Sequence, residues 1–595
     1  MMTRAEIITA SIHNGAMRRP RLFFVCLTSC VLGVVLTSGV ALIALLSGPI
    51  GLELQQPFLS TSISRLVTVQ MSASLSLVLF MVGLVLAVSW RAPGQRFSCP
   101  DAPPWLFWLG VIVAAVWANW AMLVDLPVLA CIEPDTIGYL QPSALRSSGY
   151  MLILKALVAV TGDLKSIVPL QLNVLLVAFG TLGWAVRRTL HSQAAGLVVA
   201  VVPMLSSGLL ILAPTVMTEA FFVALIGFHL AAVLCVFYRL NGLNLALVGL
   251  TLGLMIVVRP NGISFLVGLP LFVFFFKDRW RLVVSATLSP IVAIVLAQGL
   301  YHQQTFGFFG LHQFGGISMI GAAAPLITGD MPSDYPELAQ DIERRFKGYY
   351  VDFPPFEDRA YPFEMAHVAS LTAVGAIYYQ ALPAMRSSLN LPEPDVMVFE
   401  YEPRLNAIAM SLALSAIRNN PWGFAKIVTS NYIANWHRTL PIRVPMSMYY
   451  PRCLKMAQQV GAQYEAYFSQ VTDLAQYQNV ALSDAVAKVG AAGLRAIETP
   501  RLVVGVFQKT LGYLALVLSL GGLVAIFNYG RSDDVLYRAL AYGALVLQSG
   551  YGLISIGNAS FARYTVTFDP VVILVLAVSA LMAVRYLFFA EKAFK

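Results

Sequence analysis

The residues that could do chemistry collect in five short segments, each at the end of an apolar run. Glu133-Pro134-Asp135-Thr136-Ile137-Gly138-Tyr139 and Arg146-Ser147-Ser148-Gly149-Tyr150 follow one run, and Thr218-Glu219 opens another. Arg259-Pro260 interrupts a third, Tyr301-His302-Gln303-Gln304-Thr305-Phe306-Gly307 leaves a fourth, and Arg563-Tyr564 precedes the last. Ionisable side chains beside a membrane span are expensive, so they are functional candidates by default. Carboxylates there can act as proton acceptors. Arginine stays charged near lipid, and its planar fork meets anionic oxygens in pairs.

Each of these residues also has an ordinary reading. A carboxylate at a helix start, such as Glu219 after Thr218, caps the helix or complements its dipole. Arg146, Lys155, Arg259 and Arg563 can anchor to lipid headgroups. Tyr139 and Tyr150 fit an interfacial aromatic belt. His302 and His312 fit hydrogen-bonding loop positions. Asp135, Glu219 and a histidine could hold a divalent cation through hard ligands, but no dedicated ligand cluster is visible. The six cysteines show no CxxC pair and no metal spacing. No cofactor is therefore assigned. The set of five segments carries more weight than any member.

These segments hang on membrane helices. Of 595 residues, 58% are hydrophobic and only 12% charged, with mean hydropathy +0.73. Soluble proteins are nearer 45–50% and about 25%, so a soluble enzyme, a disordered chain and a nucleic-acid-binding domain are excluded. A crossing takes about 20 apolar residues. Twelve runs qualify: 22–47, 68–90, 105–124, 168–187, 194–212, 219–238, 243–258, 261–276, 282–300, 506–528, 539–556 and 566–585. With both termini in the cytoplasm, the inner segments hold seventeen Lys and Arg against six in the short outer loops, as the positive-inside rule requires. The first run is long enough to span and lacks a small-residue cleavage site, so it reads as a signal anchor. The net charge of +9 then belongs to inner loops. Met151 to Val160 is too short to cross and reads as an interfacial helix. Residues 301–505 carry 15 Lys+Arg and 17 Asp+Glu and do not fit a membrane. They read as a mostly helical outer domain, with helices expected over 361–388, 404–418, 421–438, 453–478 and 480–497. The expected fold is an all-α polytopic membrane protein. Residues 1–104 form a cytoplasmic stub with two extra spans, 105–300 a membrane core, 301–505 the outer domain and 506–595 the final spans.

In this order and on this side of the membrane, the segments resemble the GT-C superfamily of integral-membrane glycosyltransferases. The resemblance is in particular to bacterial relatives of protein O-mannosyltransferases and of the lipid A aminoarabinose transferase. Asp135-x-x-x-Tyr139 resembles the acidic motif of the family's first outer loop. Arg146-x-x-Gly149-Tyr150 resembles its Arg-x-x-Gly-Tyr-Pro stretch, with Met151 in place of proline. Thr218-Glu219, Arg259-Pro260, Ile417-x-x-x-Pro421 and Arg563-Tyr564 with Pro570 resemble further family positions. Phe306-Gly307-Phe308 resembles the exit loop, with Gln303 where the family has Asn. The likeness covers 105–320 well and 405–587 loosely.

The resemblance implies transfer of a sugar from a polyprenyl-phosphate carrier to a glycan, lipid or protein acceptor at the outer face of a bacterial inner membrane. Asp135 would be the general base. Arg259 and Arg563, helped by Arg146 and Lys155, would hold the charge that grows on the leaving phosphate. Tyr139, Tyr150, His302 and Tyr564 would contact substrate. One base opposite the phosphate implies inversion; retention needs a second carboxyl about 5 Å away, a place Glu219 could take instead of contacting sugar or acceptor. Cys131 and Cys453, the two cysteines placed outside, could form a disulfide. The alternatives are an oligosaccharide ligase or polymerase, and a lipid-linked sugar flippase. A flippase would be expected to carry charges at mid-membrane and to show repeated halves, neither of which the sequence displays.

Overall fold

The fold is described from a computed structural model. The described residues are 104–119, 130–131, 134–140, 143–161, 166–349, 381–391, 403–437, 511–524, 526, 534–557 and 562–589. They are helical apart from turns, loops and one isolated parallel bridge, Cys131 to Thr215. In chain order the main helices are α1 Pro104–Asn119, α2 Ser148–Thr161, α3 Ile167–Leu190, α4 Gln193–Leu205, α5 Glu219–Tyr238 and α6 Gly242–Val258. They continue with α7 Leu269–Phe275, α8 Trp280–Phe306, α9 Gly315–Ala323, α10 Pro336–Tyr349, α11 Leu382–Ser388, α12 Pro403–Asn419 and α13 Pro421–His437. The last three are α14 Leu511–Val524, α15 Val535–Gly557 and α16 Asp569–Phe589.

Local sequence sets the helix ends. Ser192 caps α4 by accepting the Ala195 N–H at 3.2 Å, and Asn241 caps α6 through the Asn244 N–H at 2.7 Å. Arg259 is extended, and Pro260 starts a 3-10 stretch to Gly268 before α7. The Arg-Pro break is thus a real interruption of the helix, as proline chemistry requires.

Five stretches are long and apolar enough to cross a membrane: Ile167–Leu190, Glu219–Tyr238, Lys277–Phe306, Val535–Gly557 and Val566–Val584. This is a helical membrane protein. α5 is the central span, buried along most of its length, whereas α8 turns Leu282, Leu288, Val292, Leu296 and Leu300 outward, a face suited to lipid. α6 lies tightly against α8: a Cβ on Gly249 would stand 2.1 Å from the Thr287 carbonyl oxygen. Small residues allow such approach where lipid supplies no hydrophobic drive. One core joins α3, α5, α6, α15 and α16, and a second joins α9 to α12.

Several expected crossings are shorter than the hydropathy profile implies. The run 194–212 breaks at Ser206, with Pro203 inside α4, continues as the one-turn helix Ser207–Leu210 and then becomes the loop that feeds the site. The run 261–276 is a 3-10 stretch plus seven helical residues. Runs 22–47 and 68–90, helices 453–478 and 480–497, and most of 361–388 lie outside the described residues.

The helix expected over 421–438 is present as α13, but it docks on a span. Trp436 packs edge-on against Tyr551 with ring centres 4.6 Å apart, Asn435 Nδ2 donates to Ser555 Oγ at 3.0 Å, and Tyr432 bonds Gln548. Hydropathy averages over a helix and misses a face whose Tyr432 and Asn435 side chains bond one neighbouring span. Truncating the fully buried Trp436 to alanine should destabilise the protein by roughly 3–5 kcal/mol, read as a lowered unfolding midpoint in detergent. An unchanged midpoint would contradict this docking.

Candidate functional site

The site is assembled first by backbone. The Cys131 N–H donates to the Pro214 carbonyl at 2.6 Å, and the Val216 N–H donates back to the Cys131 carbonyl at 2.9 Å. Thr136 Oγ1 adds a bond to the Val216 carbonyl at 3.0 Å. These bonds lay the 3-10 turn Pro134–Thr136, which carries Asp135, beside the strand-like approach to Thr218-Glu219. A second seam ties the start of α2 to the end of α6. Ser147 Oγ donates to the Val258 carbonyl at 3.0 Å, and a Cβ on Gly149 would meet the Val257 carbonyl oxygen at 2.6 Å. Only glycine allows that approach. Gln171 of α3 closes the ring: its Oε1 accepts the Tyr150 hydroxyl at 3.0 Å, and its Nε2 donates to the carbonyls of Ala213 and Thr215 at 2.7 and 2.9 Å.

Two ion pairs occupy the space so formed. Arg146 meets Asp135 at 2.6 Å, with side chains 19% and 16% exposed. Arg259 meets Glu219 at 2.9 Å, with 10% and 3% exposed. The deeper pair is a charge contact, not an aligned hydrogen bond. The Arg259 N–H points at Thr218 Oγ1, 3.0 Å away, and no donor is aligned on Glu219 Oε1. Each guanidinium also lies over aromatic faces. Arg259 sits 5.1 Å from the Tyr564 ring centre, and Arg146 sits 5.5 and 5.1 Å from those of Tyr139 and Phe314, distances of cation–π attraction.

Tyr139 stands between the pairs. Its ring packs edge-on against Tyr150, centres 5.2 Å apart. Burial pushes its hydroxyl above the usual tyrosine value; Arg146 and Arg259 pull it down, while Asp135 and Glu219 push it up. The same hydroxyl thus feels all four charges.

Seven of the ten residues singled out by sequence therefore meet at one end of the bundle: Asp135, Tyr139, Arg146, Tyr150, Glu219, Arg259 and Tyr564. Lys155 does not join them; it is exposed on α2, one turn beyond the buried face formed by Tyr150, Met151 and Leu154. Arg563 lies on the turn Ala562–Thr565, and its side chain is outside the described residues. His302 is not in an exit loop. α8 runs on to Phe306, so His302 is helical and fully buried, joined through Gln298 Nε2 at 2.8 Å to the neighbourhood of Ser148, whose hydroxyl donates to Gln298 Oε1 at 2.6 Å. Among the described residues no group of three His, Cys, Asp or Glu is placed to hold a metal ion, so Asp135 and Glu219 do not meet a histidine as ligands.

Sequence reasoning missed the supports Gln171, Gln298 and Phe314, and gave no role to Thr136 and Ser147 inside the segments it singled out. Polar residues inside apolar runs, such as Gln171 and Gln298, were the available signal. Cys131 is disulfide-bonded, and Cys235, the other described cysteine, is free, so the partner lies outside the described residues. Comparison with protein-family models, curated proteins and solved structures finds no match to this chain.

Removing one member of a buried pair strands the other charge, typically at about 3–5 kcal/mol, whereas removing both is far milder. Glu219→Leu and Arg259→Met should each lower stability by that amount, and the double variant by clearly less. Additive losses in chemical unfolding would show that the two side chains do not depend on each other.

Proposed function

We propose that this protein is a membrane glycosyltransferase of GT-C type, with about twelve spans and its site at the outer face of the membrane. It transfers a sugar from a polyprenyl-phosphate donor to a hydroxyl acceptor. The observation that carries this reading is the layered pair of ion pairs at one end of an apolar bundle: Asp135–Arg146 partly exposed above Glu219–Arg259, which is buried. A partly exposed carboxylate and guanidinium side by side suit a reaction in which a proton is taken up and phosphate charge develops within a few ångströms.

The acceptor oxygen forms its bond to the anomeric carbon as its proton passes to an Asp135 oxygen. The bond from that carbon to the phosphate oxygen breaks, and the electron pair leaves with the polyprenyl phosphate. That leaving group needs positive charge close by, and among the site's described side chains Arg146 is the arginine at the accessible level. An arginine beside a carboxylate favours its ionised form and makes it a weaker base. A donor phosphate that draws Arg146 toward itself restores the basicity of Asp135 at the moment it is needed. The Glu219–Arg259 pair lies beneath and fixes the sugar side of the site, with Tyr139, Tyr150 and Tyr564 as its aromatic walls. A single base opposite the phosphate gives inversion.

Purified protein should release or transfer sugar from one member of a panel of radiolabelled polyprenyl-phosphate sugars. Asp135→Asn should lose about 10²–10⁴-fold in turnover while still binding that donor. Equal turnover by the variant, or no donor bound by the wild type, would move the ligase or flippase reading ahead. With the site outside, a non-reducing peptide map should join Cys131 to Cys453. A map joining Cys131 to any other cysteine would contradict the assigned sidedness.

A further inference from the structure

We propose that Arg146 and His312 together form the subsite for the ligand's phosphate, with His312 as a neutral hydrogen-bond donor. This deepens the glycosyltransferase reading and rests on it. The loop after α8 is docked onto the turn that carries Arg146: the Gln313 N–H donates to the Ala144 carbonyl at 2.8 Å, and the Phe314 ring lies under the Arg146 guanidinium at 5.1 Å. His312 is therefore held beside Arg146, close enough to feel its charge and that of His302.

Its tautomer is fixed. His312 Nδ1 accepts the Phe314 N–H at 3.1 Å, so the proton of the neutral ring sits on Nε2. Burial, then Arg146 and His302, push its pKa down to about 4, and the ring is neutral near pH 7. Among the described residues Nε2 has no hydrogen-bond partner. An uncommitted donor thus sits on the loop docked against a guanidinium that lies 5.5 and 5.1 Å from the ring centres of Tyr139 and Phe314 and meets Asp135. An anion with several acceptor oxygens matches a guanidinium edge plus one N–H. A carboxylate at that place would take fewer of these donors, and a neutral sugar would leave the charge unmatched. Arg259 does not suit the role: it is 9% exposed and held by Glu219 and Thr218, so a phosphate there would first have to break the buried pair.

The test is binding of farnesyl phosphate to the full-length protein in zwitterionic-lipid nanodiscs, with farnesol as neutral control. Inorganic phosphate and phosphatidylglycerol nanodiscs serve as competing phosphate sources. His312→Asn keeps an acceptor near Nδ1 for the Phe314 N–H but removes the Nε2 donor; His312→Gln places an amide N–H near the Nε2 position. A hydrogen bond to a charged group predicts a ~10- to 100-fold loss of affinity for His312→Asn and for Arg146→Gln, and a smaller loss for His312→Gln. Farnesol binding should be the same in all four proteins, which also reports that the fold is intact. If wild type binds farnesyl phosphate and the variants match it, the subsite and the phosphate role of Arg146 are wrong, while the polyprenyl-phosphate donor of the glycosyltransferase reading stands. If wild type binds no farnesyl phosphate, that reading falls as well. If inorganic phosphate or phosphatidylglycerol displaces farnesyl phosphate at equal concentration, the subsite belongs to free phosphate or to headgroups, and the assignment to a carrier lipid is overturned.

Discussion

The contact between Glu219 and Arg259 is the constraint on which the arrangement depends. It joins the first residue of the most buried span to the extended residue that caps the next helix, and neither charge can be left alone at that depth. Every other part of the site is referenced to these two ends. The segment before Glu219 carries the bridge to Cys131 and the bond to Thr136, which place Asp135. The segment before Arg259 carries the carbonyls of Val257 and Val258, against which Gly149 and Ser147 are fitted, which place Arg146. A change in the crossing of α5 and α6 would therefore move both members of the upper pair at once.

Much of this was legible in the sequence. Chemically able residues at the ends of apolar runs are rare enough that five such segments in order pointed to one site, and seven of the ten chosen side chains do meet. The pairing was not legible. The sequence reads Asp135 and Arg146 as base and phosphate helper, and Glu219 and Arg259 as sugar contact and phosphate partner, yet each carboxylate is held by an arginine. Sequence spacing across a helix break gives no information on which charge faces which. His302 was misplaced for a related reason: Tyr301-His302-Gln303-Gln304 is polar enough to read as an exit loop, while the backbone remains helical until Gly307 adopts φ +76°. Lys155 fails because a 14-residue helix has two faces and its position falls on the exposed one.

The two pairs differ in depth, and that difference organises the functional proposal. A buried pair is a structural element that water and ligand reach only at high cost, whereas a pair with one-sixth to one-fifth of its surface open can exchange partners. In the proposed reaction the lower pair stays closed as a floor. The upper one opens, giving its guanidinium to phosphate and its carboxylate to the acceptor's proton. His312 belongs to the same upper level, brought there by a loop from the far end of α8.

The most direct measurement is an experimental structure of the protein with an isoprenyl phosphate bound in a lipid nanodisc. The account predicts phosphate density within hydrogen-bonding distance of the Arg146 guanidinium, Asp135 turned away from it, and the Glu219–Arg259 pair intact beneath. Phosphate bound to Arg259 with Glu219 displaced, or bound at the opposite end of the bundle, would contradict it.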